Sequence, residues 1–284
     1  MPESRDVPAD PAPTTHSSAI PTERRNPAPS VLFVSGAGLH PWIWDDTRAA
    51  LARTCDRAQT VVAARPAESA RAGLRDYARA AIDSAPAGRF TIVAHSSGGV
   101  VAAEVAQILG ARVEAVLGVC AVIPRPGGSF LTAHPAPQRW ALGAAIGVFG
   151  TRPPASALRR GLTTGLERAV AERIVSEFAA ESPGLYRDRV SGDAWNGATG
   201  YVVTAADREV PRRRQRAFAS RLAPRWERTL DTGHLPMLED PDGLAGAIAL
   251  FLGDHTSGER SDTEPVAASS GDHPTPGAVV TRFR

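Results

Sequence analysis

The sequence predicts an α/β fold: a mostly parallel six-stranded sheet with helices on both faces and a helical lid. Short apolar runs alternate with amphipathic stretches along the chain, an order typical of parallel strands connected by helices. The helical stretch at residues 98–109 is apolar on nearly all of its sides and must therefore be buried. The long segment at residues 124–192, between two predicted strands, has no convincing strand pattern of its own, which indicates an insertion into the fold.

Six short apolar runs are interpreted as strands, and the last of them alternates, with Trp226 and Leu230 on one side. The predicted strands are residues 31–34, 59–63, 90–94, 113–119, 201–205 and 225–230.

Four helices are predicted in the sheet-forming part of the chain, at residues 47–54, 73–84, 98–109 and from 241 onward. Gly98 and Gly99 open the third of these and let it approach the sheet closely. The final helix has Asp240 as its cap and Pro241 at the first helical position. Its predicted buried face is Leu244, Ile248, Phe251 and Leu252.

Residues 124–192, the lid segment, are predicted to be helices and loops that cover a site. The segment lies between two strands at their carboxyl ends, where ligands bind in open α/β sheets. Its apolar residues are shared between core packing and a substrate pocket, and the sequence does not assign them individually. They include Phe130, Leu131, Trp140, Leu142, Ile146, Phe149, Leu162, Phe178 and Tyr186.

The two ends of the chain, residues 1–29 and 254–284, are rich in Pro, Ser, Thr and charge and are predicted to be disordered. The folded domain is then residues 30–253. A net charge of +2 disfavours nucleic acid and membrane surfaces as partners, so a small-molecule substrate is expected. The oligomeric state is left open.

All 32 basic residues are arginine, which excludes Schiff-base and lysine-dependent phosphate chemistry. Cys55 and Cys120 are interpreted as small buried side chains of a reduced, cytoplasmic protein. No group of His, Cys, Asp and Glu has metal-ligand spacing, and no glycine-rich dinucleotide loop is present. Neither a metal nor another cofactor is expected.

The candidate nucleophile is Ser96, in the motif AHSSGG that follows an apolar run. Small residues, Ala94 and Gly98, stand two positions before and after it. A nucleophile elbow needs this spacing because the serine backbone is held in a strained turn. The motif alone is weak, and an ordinary turn serine is the alternative.

Two further residues complete a possible catalytic triad, Asp207 after the fifth strand and His234 after the sixth. A serine needs a base to act as a nucleophile, and the histidine needs a carboxylate to fix its tautomer. Asp207 could instead be only a helix cap, and Glu209 is the competing acid. Since all three residues follow strand ends, a parallel sheet would place them at one edge.

An oxyanion intermediate needs backbone N–H donors beside the nucleophile. The first predicted donor is the amide of Ser97, at the positive end of the following helix. The second is expected from the loop after the first strand, with Ala37 favoured and Gly38 as the fallback. His40 in that loop is a less favoured candidate for the pocket, and His95 is expected to pack beside the sheet.

Four segments resemble the α/β-hydrolase superfamily in its lid-bearing, esterase-like branch. They are residues 31–38 with Trp42 and Trp44, residues 94–99, residues 207–211 and, as the most specific, residues 233–241 (GHLPMLEDP). Ala94 replaces the usual glycine of the elbow, and Ser35 replaces the usual histidine before Gly36. The family's first two antiparallel strands have no visible counterpart, which favours six strands.

The resemblance implies a cofactor-free serine hydrolase acting on a carboxylic ester, thioester or lactone. Relatives that open epoxides or displace halide have aspartate at the elbow, and hydroxynitrile lyases use a lysine, so both are disfavoured. Two alternatives stay open. One is a lyase or cyclase that uses the same triad in a biosynthetic pathway, and the other is a small-molecule receptor with little turnover.

Overall fold

The computed structural model describes residues 28–192 and 197–258. Its strands form one sheet in the order β2-β1-β3-β4-β5-β6, and all the pairings are parallel. The predicted α/β class and the six-stranded sheet are therefore confirmed. The strands are β1 (Ser30–Val34), β2 (Gln59–Val62), β3 (Phe90–His95), β4 (Val113–Val119), β5 (Ala198–Thr204) and β6 (Trp226–Leu230).

Helices cover both faces of the sheet and fill the segment between β4 and β5. They are α1 (Asp45–Thr54), α2 (Leu74–Ser84), α3 (Gly98–Leu109), α4 (Phe130–Ala133), α5 (Ala136–Phe149), α6 (Ala155–Arg160), α7 (Arg168–Glu177), α8 (Pro183–Arg187), α9 (Arg212–Leu222), α10 (Pro236–Glu239) and α11 (Pro241–Gly258).

The core has two apolar layers, one on each side of the sheet. Alternate residues of β1 show the division, because Leu32 belongs to the layer that includes residues of α2, α3 and α9, while Phe33 belongs to the layer that includes residues of α1 and α11. Successive side chains of a strand point to opposite faces, so a sheet covered on both sides is apolar at every position. β3 is accordingly buried along its whole length.

The predicted helical faces pack as expected. In α2 the buried residues are Leu74, Tyr77, Ala78 and Ala81, and in α11 Leu244, Ile248, Phe251 and Leu252 are buried. Asp240 caps α11, since its Oδ1 accepts a hydrogen bond of 2.9 Å from the Gly243 amide.

Besides shifts of one or two residues at several helix and strand ends, the structure differs from the sequence prediction in three details. β5 begins at Ala198 rather than at residue 201, because pairing with β4 extends the strand through Ala198 and Gly200, two small residues of weak β preference. α11 continues to Gly258, past the predicted domain end at residue 253. Cys55 is half-buried rather than buried, whereas Cys120 is buried.

The lid segment contains α4 to α8, and no strand is found within it. The predicted disorder concerns residues 1–29 and 254–284, of which 1–27 and 259–284 lie outside the described residues. In the part of the chain that the structure describes, no helix has the length and apolar character needed to span a bilayer.

Candidate active site

Ser96 stands at a sharp turn between β3 and α3, with a backbone φ of +52°. The turn is held because the Ser96 carbonyl accepts hydrogen bonds from the Gly99 amide (3.1 Å) and the Val122 amide (2.8 Å). A Cβ at Gly98 would lie 2.6 Å from the carbonyl oxygen of Val34, so only glycine fits there. Close contact with β1 thus explains why the motif requires a small residue at position 98.

The three predicted triad residues converge at the carboxyl edge of the sheet. His234 Nε2 lies 3.0 Å from Ser96 Oγ, and His234 Nδ1 lies 2.8 Å from Asp207 Oδ2. The carboxylate can only accept, so Nδ1–H donates to it and Nε2 is left to accept the proton of the serine hydroxyl. This tautomer is the one a general base requires.

Asp207 is fixed by donors on both of its oxygens. The amides of Glu209 and Val210 each donate to Oδ1 at 2.8 Å, and Thr204 Oγ1 donates to Oδ2 at 3.0 Å. Burial opposes ionisation, but hydrogen bonds from His234, Val210 and Thr204 outweigh it and hold the pKa of Asp207 below its usual value. Glu209, the competing acid, contributes its amide to this arrangement, while Asp207 contacts the histidine.

His234 is 4% exposed, and two buried neighbours hold its backbone carbonyl. His95 Nε2–H donates to that carbonyl at 2.8 Å, and the Cys120 thiol donates at 3.6 Å. Burial keeps His95 neutral, with its pKa lowered to about 3, and raises the pKa of the Cys120 thiol. For His234, burial opposes the imidazolium, yet the interaction with Cys120 and the hydrogen bond to the Asp207 carboxylate together raise its pKa well above its usual value.

His95, Cys120 and His234 have side-chain donor atoms that all lie within 4.8 Å of one another. This group could not be predicted from spacing along the chain, because its residues come from three different strand ends. Both nitrogens of His234 already contact Asp207 and Ser96. The group is best explained as packing that holds the histidine loop, with His95 beside the sheet as expected.

The two amides considered for the loop after β1 are both engaged within the protein. The Ala37 amide donates to Ser97 Oγ at 2.7 Å, and the Gly38 amide donates to Glu181 Oε1 at 2.8 Å. The Ser97 amide lies at the amino end of α3, as predicted. The Ala37 amide, the favoured oxyanion donor of this loop, therefore points at the Ser97 hydroxyl. This contact depends on side-chain orientation and could not be predicted from the motif.

Glu181 joins the lid segment to this loop and was not anticipated from the sequence. Its side chain is 2% exposed, and it also accepts hydrogen bonds from Tyr77 Oη (2.7 Å) and Arg65 Nη1 (3.1 Å). His40, the less favoured pocket candidate, instead donates from Nε2 to the Glu177 carbonyl at 2.8 Å. Both contacts fasten the loop after β1 to the lid segment.

A cavity of about 370 Å³ opens above Ser96 and His234, beneath the lid segment. Its walls are mainly apolar, with Glu209 and Arg152 among the few charged residues. The structure divides the apolar lid residues that the sequence left unassigned, since Leu131 and Trp140 lie away from this cavity. Those that line it are Phe130, Leu142, Ile146, Phe149, Leu162, Phe178 and Tyr186.

The fold and the converging side chains define an α/β enzyme scaffold with a lid, and a family comparison agrees. The family model described as "Alpha/beta hydrolase family" matches residues 31–247, which is most of the chain. The chain belongs to the alpha/beta hydrolase family, as the sequence resemblance implied. No curated protein matches the sequence significantly.

Several solved structures share the fold, and esterases are among them. A pyrethroid hydrolase from Sphingobium faniae JZ-2 is 19% identical, with a TM-score of 0.58, covering 81% of this chain and 99% of that one. An extracellular α/β-hydrolase from a Paenibacillus species is 15% identical, with a TM-score of 0.66, covering 78% and 98%. A thermophilic esterase from Thermogutta terrifontis is 20% identical, with a TM-score of 0.60, covering 80% and 90%. At these identities the likeness shows the fold.

Proposed function

We propose that the protein is a serine hydrolase that cleaves a carboxylic ester, thioester or lactone with an apolar group. The observation that carries this proposal is the hydrogen-bonded chain from Ser96 Oγ through His234 to Asp207, with distances of 3.0 and 2.8 Å. Such a chain converts a weak hydroxyl into a nucleophile without a cofactor. The esterases among the structural neighbours support the same reaction class.

In the acylation step, Ser96 Oγ forms a bond to the carbonyl carbon while His234 Nε2 takes its proton. The carbonyl π electrons move to the oxygen, and Asp207 stabilises the imidazolium that forms. When the tetrahedral intermediate collapses, those electrons return, the alkoxide or thiolate leaves, and Nε2 returns the proton to it. The product of this step is an acyl ester of Ser96.

In the deacylation step, water replaces the leaving group. His234 Nε2 takes a proton from the water as its oxygen attacks the acyl carbon, and Ser96 then leaves with that proton. The carboxylic acid is released, and the enzyme regains its starting protonation state. Each step needs His234 to be neutral at its start.

The cavity suggests the substrate class. A volume of about 370 Å³ lies within the range of small-molecule sites, about 300–1,000 Å³, and its lining is mainly aliphatic and aromatic. Burying one CH₂ contributes about 0.8 kcal/mol, which corresponds to roughly a fourfold change in kcat/KM. We expect kcat/KM to rise by up to that factor per added methylene until the cavity is filled.

The test is hydrolysis of p-nitrophenyl acetate, butyrate, hexanoate and octanoate by the wild type and by Ser96→Ala. Removing the serine of such a triad lowers kcat by about a millionfold, so turnover should fall to near background. A fluorophosphonate probe should label the wild type and leave Ser96→Ala unlabelled. Ser84→Ala is the matched control, since Ser84 lies at the end of α2 and bonds the Ala64 amide and the Ala80 carbonyl.

Ester turnover by Ser96→Ala at the wild-type rate would contradict the proposal. Product formation without water incorporation and without an acyl-enzyme would favour the lyase or cyclase alternative. Tight, saturable binding with negligible turnover would favour a receptor. Location in the cytoplasm, and a small-molecule substrate without a nucleic-acid or membrane partner, stay predictions from the sequence.

A further inference from the structure

Both amides considered as oxyanion donors in the loop after β1 donate to acceptors within the protein. The Ala37 amide is 2.7 Å from Ser97 Oγ, and the Gly38 amide is 2.8 Å from Glu181 Oε1. An amide has one proton, so each of these groups is already committed to a protein acceptor. The Ser97 hydroxyl therefore accepts the proton that the Ala37 amide would otherwise offer to a substrate.

The Ser97 hydroxyl has a proton to give. Ser97 is 3% exposed, and its Oγ accepts the hydrogen bond from Ala37. A hydroxyl carries one donor and two acceptor positions, and the described part of the chain supplies no acceptor for this proton. Accepting from an amide polarises the O–H bond and makes it a stronger donor.

Two spaces adjoin Ser97, and they differ in what they offer that proton. One is the cavity that contains Ser96 and His234. The other is a small cavity of about 50 Å³ lined in part by Arg65, Tyr77 and Glu181. Arg65 only donates, and the Glu181 carboxylate, with about four accepting positions, already accepts from Gly38, Arg65 and Tyr77, so these charged side chains leave about one position for a further donor.

We propose that the Ser97 hydroxyl is a catalytic donor to the oxyanion and that the Ala37 amide acts through it as a positioning group. The inference rests on the proposed hydrolase function. As Ser96 Oγ bonds to the carbonyl carbon and His234 takes the proton, the new oxyanion accepts hydrogen bonds from the Ser97 hydroxyl and the Ser97 amide. When the intermediate collapses the electron pair returns, and the Ser97 hydroxyl keeps its proton throughout.

The first experiment compares Ser97→Ala, Ser97→Thr and the control Ser84→Ala with the best p-nitrophenyl ester. Loss of one oxyanion donor costs about 10²–10³ in kcat, so Ser97→Ala should show that loss with little change in KM. Ser97→Thr keeps the hydroxyl and should restore kcat to within about tenfold of the wild type. If the hydroxyl only blocks the Ala37 amide, Ser97→Ala will match or exceed the wild type, and the proposal is overturned.

The second experiment reads the oxyanion directly and needs only the wild type. A trifluoromethyl ketone with the preferred acyl chain forms a hemiketal oxyanion on Ser96. In the structure of that adduct, the oxyanion should lie about 2.5–3.0 Å from Ser97 Oγ. An oxyanion held by the Ala37 amide, with the Ser97 hydroxyl turned toward the small cavity, would overturn the proposal even if the variants fail to fold.

The two proposals fail in different ways. If the wild type is not labelled by the fluorophosphonate and turns over no ester, the hydrolase assignment fails. If the wild type is labelled and active while Ser97→Ala is equally active, only the role of the hydroxyl fails. Circular dichroism of each variant shows that the protein measured is folded.

Discussion

The carboxyl edge of the sheet and the lid segment that covers it are built differently. Asp207 and His234 are 6% and 4% exposed, and every polar atom of their side chains has a protein partner. Helix α5 of the lid segment has no buried residue, and its Val148 and Phe149 are 75% and 74% exposed. The sheet loops thus fix the proposed chemistry, while side chains with few contacts shape the entrance.

Contacts at Gly38 are among those that join the two regions. Glu181 reaches from the lid segment to the Gly38 amide, and the Ala179 amide donates to the Gly38 carbonyl at 3.0 Å. The ring of Phe178 lies over Gly38, where a Cβ would come within 2.2 Å of it. A lid held this way determines the conformation of the loop beside Ser97, so the lid and the proposed oxyanion site are coupled.

The largest effect outside Ser96 is expected at Asp207, on the sheet side. In Asp207→Asn, the amides of Glu209 and Val210 hold the asparagine oxygen in place of Oδ1, so its NH₂ group must face His234. This favours the histidine tautomer with a proton on Nε2, which cannot accept from Ser96. We expect kcat to fall by about 10⁴, measured with the preferred p-nitrophenyl ester.

The pH dependence of Asp207→Asn tests whether the Asp207 charge raises the pKa of His234. Neutral His234 is the base, so below its pKa kcat/KM should fall about tenfold per pH unit, with a midpoint above 6.5 in the wild type. Removing the Asp207 charge should move that midpoint to lower pH. A 10⁴-fold loss in Glu209→Gln, with little loss in Asp207→Asn, would make Glu209 the acid instead.

Removing the contact that Glu181 makes between the two regions should have a smaller effect, and this effect is on stability. Glu181→Gln replaces a buried carboxylate that accepts from Gly38, Tyr77 and Arg65 with a group that has only one accepting end. We expect the free energy of unfolding to fall by about 1–3 kcal/mol, measured by urea denaturation. Glu172→Gln is the control, because Glu172 pairs with Arg159 on the surface and its removal should leave the midpoint unchanged. Equal midpoints for both variants would show that Glu181 does not fasten the lid.

The sequence was sufficient to predict the sheet and the convergence of the three proposed triad residues, for one physical reason. Parallel strands end at one edge, so residues that follow separate apolar runs are brought together whatever their distance along the chain. Ser96, Asp207 and His234 each follow such a run. The close approach of α3 to the sheet was also predictable from the glycines that follow Ser96. The contact with β1 leaves no space for a side chain at Gly98.

The remaining features depend on side-chain orientation, which spacing does not encode. The contact between the Ala37 amide and Ser97 Oγ depends on the serine rotamer, and His95 meets the His234 carbonyl across two strand ends. Glu181 gave one weak indication, an acidic residue just before the Ser-Pro start of α8. The lid residues could not be assigned because α5 shows apolar residues on several sides, and only its placement decides which of them face the cavity.

The smallest predicted effect is a change in KM that should appear at only one of two exposed aromatic residues of α5. Phe149 and Trp140 are 74% and 67% exposed, but only Phe149 lines the cavity above Ser96. Phe149→Ser should raise KM for the octanoate ester about fivefold, equivalent to roughly 1 kcal/mol of lost apolar contact, and leave the acetate ester unaffected. Trp140→Ser should change neither, and both variants should keep their stability within about 0.5 kcal/mol. An equal rise in KM for Trp140→Ser would mean that the whole apolar surface of α5, and not the cavity wall alone, takes part in binding.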